Sequence, residues 1–282
     1  MYAKGMKLPE GKKCAAFITV NLSAEFFWLS LDEKAADMPK TLSLGQYGMT
    51  HGLPRLLDLF DEFQTKAAFF VPGRTAEVYP KAVKEVVDRG HEIACHGYEY
   101  ENFSLLSYGE QRERIAKAAK AIEEACGKKP EGFRAPLGDL MLETLNIARE
   151  CGMVYSSDLF DDDRPYFMKV SEEGDEILQI PMQWANFDLP YFAFNYRPAF
   201  PAGQGRIANY SNVLSNWKDE FTGHYHHKLC YTMQLDPQTA GSPGRTALIR
   251  EFLQFMTGHE GVWFATGREI YDHCMENRMR YR

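Results

Sequence analysis

Short apolar runs alternate with amphipathic stretches of helical length from Cys14 almost to the C-terminus. That change of period constrains the chain more than any other feature, because strands buried on both faces and joined by crossover helices produce it. Cys14–Asn21, Lys66–Val71, Glu92–His96, Gly132–Arg134, Val154–Ser157, Ile177–Pro181, Leu229–Leu235 and Val262–Ala265 read as strands. Leu53–Phe63, Pro80–Arg89, Gln111–Cys126, Leu140–Cys151, Arg245–Met256 and Glu269–Asn277 read as helices, with Gly90 and Gly152 as stops. The predicted fold class is α/β, a distorted (β/α) barrel of about seven parallel strands. A barrel of this kind accommodates residues 1–282 as one catalytic domain.

The rhythm breaks at Phe26–Met49 and again between Asn186 and Lys228, in segments rich in aromatic residues, Asn, Pro and Gly. A long irregular connection in a compact domain is read as a lid, a substrate wall or a subunit contact, and the aromatics of Asn186–Trp217 suggest a homodimer or homotetramer. The triplet His224, His226, His227 falls in this segment and reads as a loop feature, or as a strand with His224 and His226 on one face.

Composition narrows the partners. A net charge of −7 argues against nucleic acid. No apolar core follows the lysines of Met1–Lys13 and no run is long enough to span a bilayer, so no membrane is expected and the location is predicted to be cytoplasmic. The 6 cysteines are scattered without a CxxC pair, as reduced thiols are. Glycine-rich phosphate loops are absent, and no nucleotide cofactor is expected.

Sites on barrels gather at the C-terminal ends of the strands. Collected there are Asn21, Ser23 and Glu25, then His96, Tyr98 and Tyr100, then Arg134 with Pro136, then Asp158, Trp184 and Asp236. The strings Val20–Glu25, Ala68–Gly73, Gly90–Gly97, Phe133–Pro136 and Leu235–Pro237 with Gly241–Arg245 carry these residues. In order and content they resemble the successive motifs of the polysaccharide deacetylase family, also called the NodB-homology or carbohydrate esterase 4 superfamily. The resemblance spans roughly residues 14–270 and implies hydrolysis of an amide-type C–N bond.

Most members of that family hold a divalent metal through an aspartate and two histidines. At the corresponding positions this chain has Ser23, His96 and Tyr100, and Asn21 and Asp236 stand where the family's catalytic base and acid are expected. One imidazole without a carboxylate is a poor shell for zinc, which ordinarily keeps three protein ligands. The substitutions are similar to those of the allantoinase-like and cyclic-imide-hydrolysing branch, which works without metal and keeps strings such as His96–Tyr100 and Gly241–Arg245. The resemblance therefore implies a metal-independent hydrolase of a small amide, imide or ureide, with no metal and no cofactor.

Within it, His96 is expected as general acid/base or as a donor to the carbonyl under attack. Asp236, Asp158 and Glu25 are candidates for the base, their carboxyls raised by desolvation. Arg134 would orient a carboxylate and support the oxyanion. Ser23, Asn21, Tyr98, Tyr100, Trp184 and Pro136 would bind the substrate, the aromatics walling a flat ring. Two rivals stand beside this reading: a metal-dependent N-deacetylase of a carbohydrate with relocated ligands, and a non-catalytic ligand-binding member of the family.

Overall fold

A computed structural model describes residues 5–136, 138–202 and 207–277. Met1–Lys4, part of the N-terminal stretch considered above, and residues 203–206 of the long connection lie outside the described residues. The strands are β1 (Cys14–Asn21), β2 (Ala68–Val71), β3 (Glu92–Cys95), β4 (Gly132–Phe133), β5 (Tyr155–Ser156), β6 (Tyr166–Lys169), β7 (Glu176–Gln179), β8 (Asn195–Tyr196), β9 (Ala199–Phe200), β10 (Cys230–Leu235) and β11 (Val262–Phe264). The class is α/β, and every strand read from the apolar runs is present within a residue or two of its expected ends.

The residues divide into two compact units, and neither is a continuous segment. One comprises Met1–Thr65 with Gln183–Phe264, the other Lys66–Met182 with Ala265–Arg282.

In the first unit β1 pairs in parallel with β10, from Ala15 beside Cys230 to Val20 beside Leu235, and with β11. All of β1 and β10 is buried, which explains why their sequences run apolar without alternating. The segment Phe26–Met49 holds the helices Phe26–Leu31 and Pro39–Tyr47. The second of these continues through one π-helical turn, Gly48–Gly52, into Leu53–Glu62.

Glycine permits the next contact. An added Cβ on Gly45 would lie 2.3 Å from the Glu25 nitrogen, one on Gly48 2.8 Å from the Gln238 nitrogen, and one on Gly52 2.1 Å from the Pro237 oxygen. The bare stripe of this rod thus presses against the turn after β1 and the turn after β10.

The connection expected to be irregular contains an 18-residue helix, Tyr210–His227, with the Asn209 side chain accepting the Asn212 N–H at its start. Val213, Leu214, Trp217, Phe221 and His224 are its buried residues, a spacing of three, four and three that faces one side. Gly223 and the clustered histidines obscured that period. The strand reading of His224 and His226 is therefore corrected: both lie in the last turn of a helix, where His224 Nδ1 bonds the Glu220 carbonyl at 2.8 Å.

In the second unit the strand order is β2-β3-β4-β5-β7-β6, parallel except for β6, which runs antiparallel to β7. β6, the edge strand of this order, is formed by the short apolar string Tyr166-Phe167-Met168 with Lys169, which the sequence reading did not include. The helix Tyr108–Cys126 begins at a capping box formed by Ser107 and Glu110 and ends at Gly127, which takes φ 74°.

Gly52→Ala should cost about 1–3 kcal/mol, the range for forcing a methyl group into packed atoms. Gly109→Ala, inside a helix with no atom within 4 Å of the new Cβ, should instead add about 0.4–1 kcal/mol. Urea unfolding of both variants measures the contrast, and equal effects would contradict the close approach.

Candidate active site

In the first unit a polar network is built at the end of β10. Asp236 is 2% exposed and caps the turn Pro237–Ala240, its Oδ1 accepting the Gln238 N–H at 3.1 Å. The Ser23 hydroxyl donates to Oδ2 at 2.8 Å and the Gln238 amide donates to the same oxygen at 3.2 Å. Trp28 Nε1, which can only donate, bonds the other end of that amide at 2.7 Å, so the amide must turn its NH₂ toward Asp236 and Ser23. Ser23 is fully buried; it gives its one proton to Asp236 and accepts from Gln238 at 3.3 Å.

Behind Asp236 lies Asp188, also fully buried. Its two oxygens accept the Asp236 main-chain N–H at 3.1 and 3.2 Å, and the Thr239 hydroxyl meets its Oδ2. Burial pushes the Asp236 carboxyl up to about 6 against the bonds from Ser23 and Gln238. It pushes Asp188 up to about 8, with the neighbouring charge of Asp236 adding to the rise and Thr239, the Asp236 N–H and Arg245 opposing it. Sequence reading missed Asp188, Gln238 and Thr239. The string Asp188-Leu189-Pro190 resembles a helix cap, but the Asp188 side chain makes no capping bond to the helix Leu189–Phe192, so that pattern does not point to its place behind Asp236.

Asn21 is buried at the end of β1. Glu25 is half-buried and uses its carbonyl, not its carboxylate, to start the helix Phe26–Leu31. Trp184 is 62% exposed and set edge-on to Phe187.

In the second unit His96 follows β3 and is fully buried. Nδ1 lies 2.7 Å from the Arg134 carbonyl, an oxygen that can only accept, so the proton is on Nδ1 and Nε2 carries a lone pair. Among the described residues Nε2 has no hydrogen-bond partner. Burial, with the Arg134 charge beside it, lowers the imidazole to about 3 although the carbonyl bond works the other way. His96 is therefore neutral at physiological pH, and the expectation that it donates to a carbonyl is corrected: Nε2 is an acceptor.

Arg134 bonds the Ser157 carbonyl through Nε and the Ser157 hydroxyl through Nη2, both at 2.9 Å, and stacks 4.0 Å above the Phe70 ring. Burial lowers it to about 10, so it remains a cation. Asp158 accepts the Ala135 N–H at 2.7 Å and the Ser156 hydroxyl, and burial raises it to about 6. Those bonds make Asp158 a brace between the ends of β4 and β5.

Tyr100 takes φ 69°, uncommon for a residue with a side chain, and sets its ring edge-on to His96 at 5.0 Å. Pro136 is half-buried and lies where a Cβ on Gly97 would meet its ring at 2.9 Å. Tyr98 is corrected from substrate wall to packing residue, because its hydroxyl bonds Glu77 at 3.0 Å and the Lys117 amine covers its ring at 3.9 Å.

Buried polar residues follow β10 in the first unit and β3, β4 and β5 in the second, the C-terminal strand ends at which sites of parallel α/β barrels form. Comparison makes this specific. The family model for polysaccharide deacetylases matches residues 40–156. A solved structure from Mycobacterium smegmatis, assigned to the polysaccharide deacetylases, superposes with TM-score 0.92 at 31% identity, covering 99% of this chain and 96% of that one. The peptidoglycan deacetylase of Helicobacter pylori is 26% identical over 93% of this chain and 96% of its own length. The PuuE allantoinase shares the fold with TM-score 0.81 at 23% identity, over 95% of this chain and 92% of that one. The chain belongs to the polysaccharide deacetylase family and is a hydrolase of carbon–nitrogen bonds other than peptide bonds.

The divalent ion of that family does not fit the donors present. Ser23 spends its hydroxyl on Asp236, Tyr100 is a phenol whose ring stands at right angles to that of His96, and His96 supplies one lone pair. Among the described residues no three of His, Cys, Asp and Glu come together as metal ligands.

The tautomer is directly measurable. Imidazole ¹⁵N spectra of the labelled protein should show His96 with protonated Nδ1 and bare Nε2, unchanged from about pH 8 to about pH 5, because a group lowered to about 3 stays neutral across that range. A resonance titrating near the ordinary histidine value would contradict the burial described.

Proposed function

We propose that the protein hydrolyses the C–N bond of a small amide, cyclic imide or ureide, using its own side chains rather than a bound divalent ion. The observation that carries this reading is the fate of Ser23: the residue at a coordinating position of the family gives its only proton to Asp236 and so serves the carboxylate. In this reading Asp236 is the base. Water loses a proton to its carboxylate and attacks the carbonyl carbon, the C–N bond breaks, and the nitrogen leaves as an amine or amide after receiving that proton. A carboxyl raised to about 6 is ionised at neutral pH yet basic enough to take the proton, whereas an ordinary aspartate is a weaker base.

His96 contributes an acceptor. Within the second unit its bare Nε2 is a ready acceptor for an N–H, the group that imides and ureides carry. Arg134, fixed on Ser157, provides a permanent positive charge beside it. Asp158 holds the Arg134-Ala135 backbone through the Ala135 N–H.

A second reading has its own support. The Helicobacter pylori relative, matched over nearly the full length of both chains, is a peptidoglycan deacetylase, so an N-acetylated sugar is the alternative substrate.

Chelator-treated protein assayed on succinimide, hydantoin, allantoin and an N-acetylated chitooligosaccharide decides between them. The expected outcome is turnover of a cyclic compound without metal, a kcat/KM that falls on the acid side of about pH 6, and a loss of about 10²–10⁴ in Asp236→Asn. The acid limb follows because protonating Asp236 removes the base. Inactivity on all cyclic compounds, with zinc-dependent deacetylation of the sugar, would reject the proposal.

A further inference from the structure

Asp188 has no part in the chemistry so far, yet it is a fully buried carboxyl directly behind the base. Three groups address it: the Asp236 N–H, the Thr239 hydroxyl, and the charge of Arg245, whose Nη1 bonds the Thr239 carbonyl at 2.6 Å. The Thr239 hydroxyl has a single hydrogen and two acceptors within reach, Asp188 Oδ2 and the Asp236 carbonyl at 3.1 Å. If that hydrogen goes to Asp236, the contact with Asp188 needs a hydrogen from the carboxyl itself.

We propose that Asp188 is a positioning residue that carries a proton, donates it to Thr239, and through the Thr239 hydroxyl and the Asp236 N–H grips the main chain of the base on both sides. A neutral acid there satisfies every contact. Asp188 Oδ2–H donates to Thr239, Thr239 donates to the Asp236 carbonyl, and Asp188 Oδ1 accepts the Asp236 N–H.

An ionised Asp188 would reverse the Thr239 hydrogen, release the Asp236 carbonyl, and place a second negative charge beside the catalytic carboxylate. The charged groups acting on Asp188 are Asp236, which opposes its ionisation, and Arg245, which favours it. Burial adds to the first, since two like charges close together in a dry site cannot both ionise cheaply. The pair is thus divided by environment: Asp236, served by Ser23 and Gln238, takes the charge, and Asp188 keeps the proton.

The role assigned here rests on Asp236 as the base, but its test does not require a substrate. The full chain labelled with ¹³Cγ aspartate is titrated by NMR from about pH 5 to about pH 9. The resonance that disappears in Asp188→Asn should have a midpoint at about 8, and the one that disappears in Asp236→Asn a midpoint at about 6. The Asp236 midpoint should stay in place in Asp188→Asn, because a neutral residue replaces a neutral one.

A fall of a full unit there, or an Asp188 resonance already ionised at the acid end, would overturn the proposal. Should Asp188→Asn not fold, Thr239→Val identifies the same resonance by an upward move, since the bond accepted by the ionised carboxylate is stronger than the one donated by the neutral acid and its loss weighs more; no aspartate moving in Thr239→Val would equally overturn it. Where turnover is measurable, the alkaline limb of kcat/KM at about pH 8 should vanish in Asp188→Asn. A failure of the proposed substrate class leaves the NMR titration intact, so the two failures are distinguishable.

Discussion

Burying carboxylates beside one another is the constraint on which the rest of the first unit depends. A buried polar group without a partner costs about 1–3 kcal/mol, and an unpaired charge costs more. Asp236 meets this through Ser23, Gln238 and the turn it caps, and Asp188 through Thr239 and the Asp236 main chain. None of these donors is a full cation within bonding distance of Asp236. Its carboxylate is therefore stabilised enough to exist and too little to become an ordinary weak base. Trp28 fixes the orientation of Gln238, and the glycine stripe at 45, 48 and 52 lets a rigid helical rod lie against the turns that carry these groups.

The second unit solves the opposite problem. His96 and Arg134 are adjacent cations in principle, and both are buried. The arginine keeps its charge because its guanidinium is bonded to Ser157 and stacked on Phe70. The histidine loses its charge because one nitrogen is committed to a carbonyl and the surroundings penalise protonation. One charge and one lone pair result, fixed by the Arg134 main-chain oxygen as much as by any side chain.

Most of the fold was legible in the sequence because parallel strands buried on both faces leave continuous apolar runs, as Cys14–Asn21 and Cys230–Leu235 do. The edge strand Tyr166–Lys169 and the helix Tyr210–His227 were not, since the apolar string of the first is only three residues long and polar aromatic residues blur the period of the second. Site residues at strand ends were found by position. Which of them are braces, such as Asp158 and Tyr98, depends on partners distant in sequence, among them Ala135 and Glu77. Asp188 escaped because nothing in its own string shows that β10 will bring Asp236 against it.

The pairing of β1 with β10 and β11 has a consequence for biogenesis. The hydroxyl of Thr19 bonds the Met233 carbonyl, 214 positions along the chain. Emerging from the ribosome, Cys14–Asn21 is a sticky apolar ribbon whose partners in its own unit are synthesised only after the bulk of the other unit has been made. Such non-local pairing slows folding and leaves the nascent chain open to aggregation. The β1–β10–β11 part of the sheet is therefore completed only near the end of synthesis, however stable the finished molecule is.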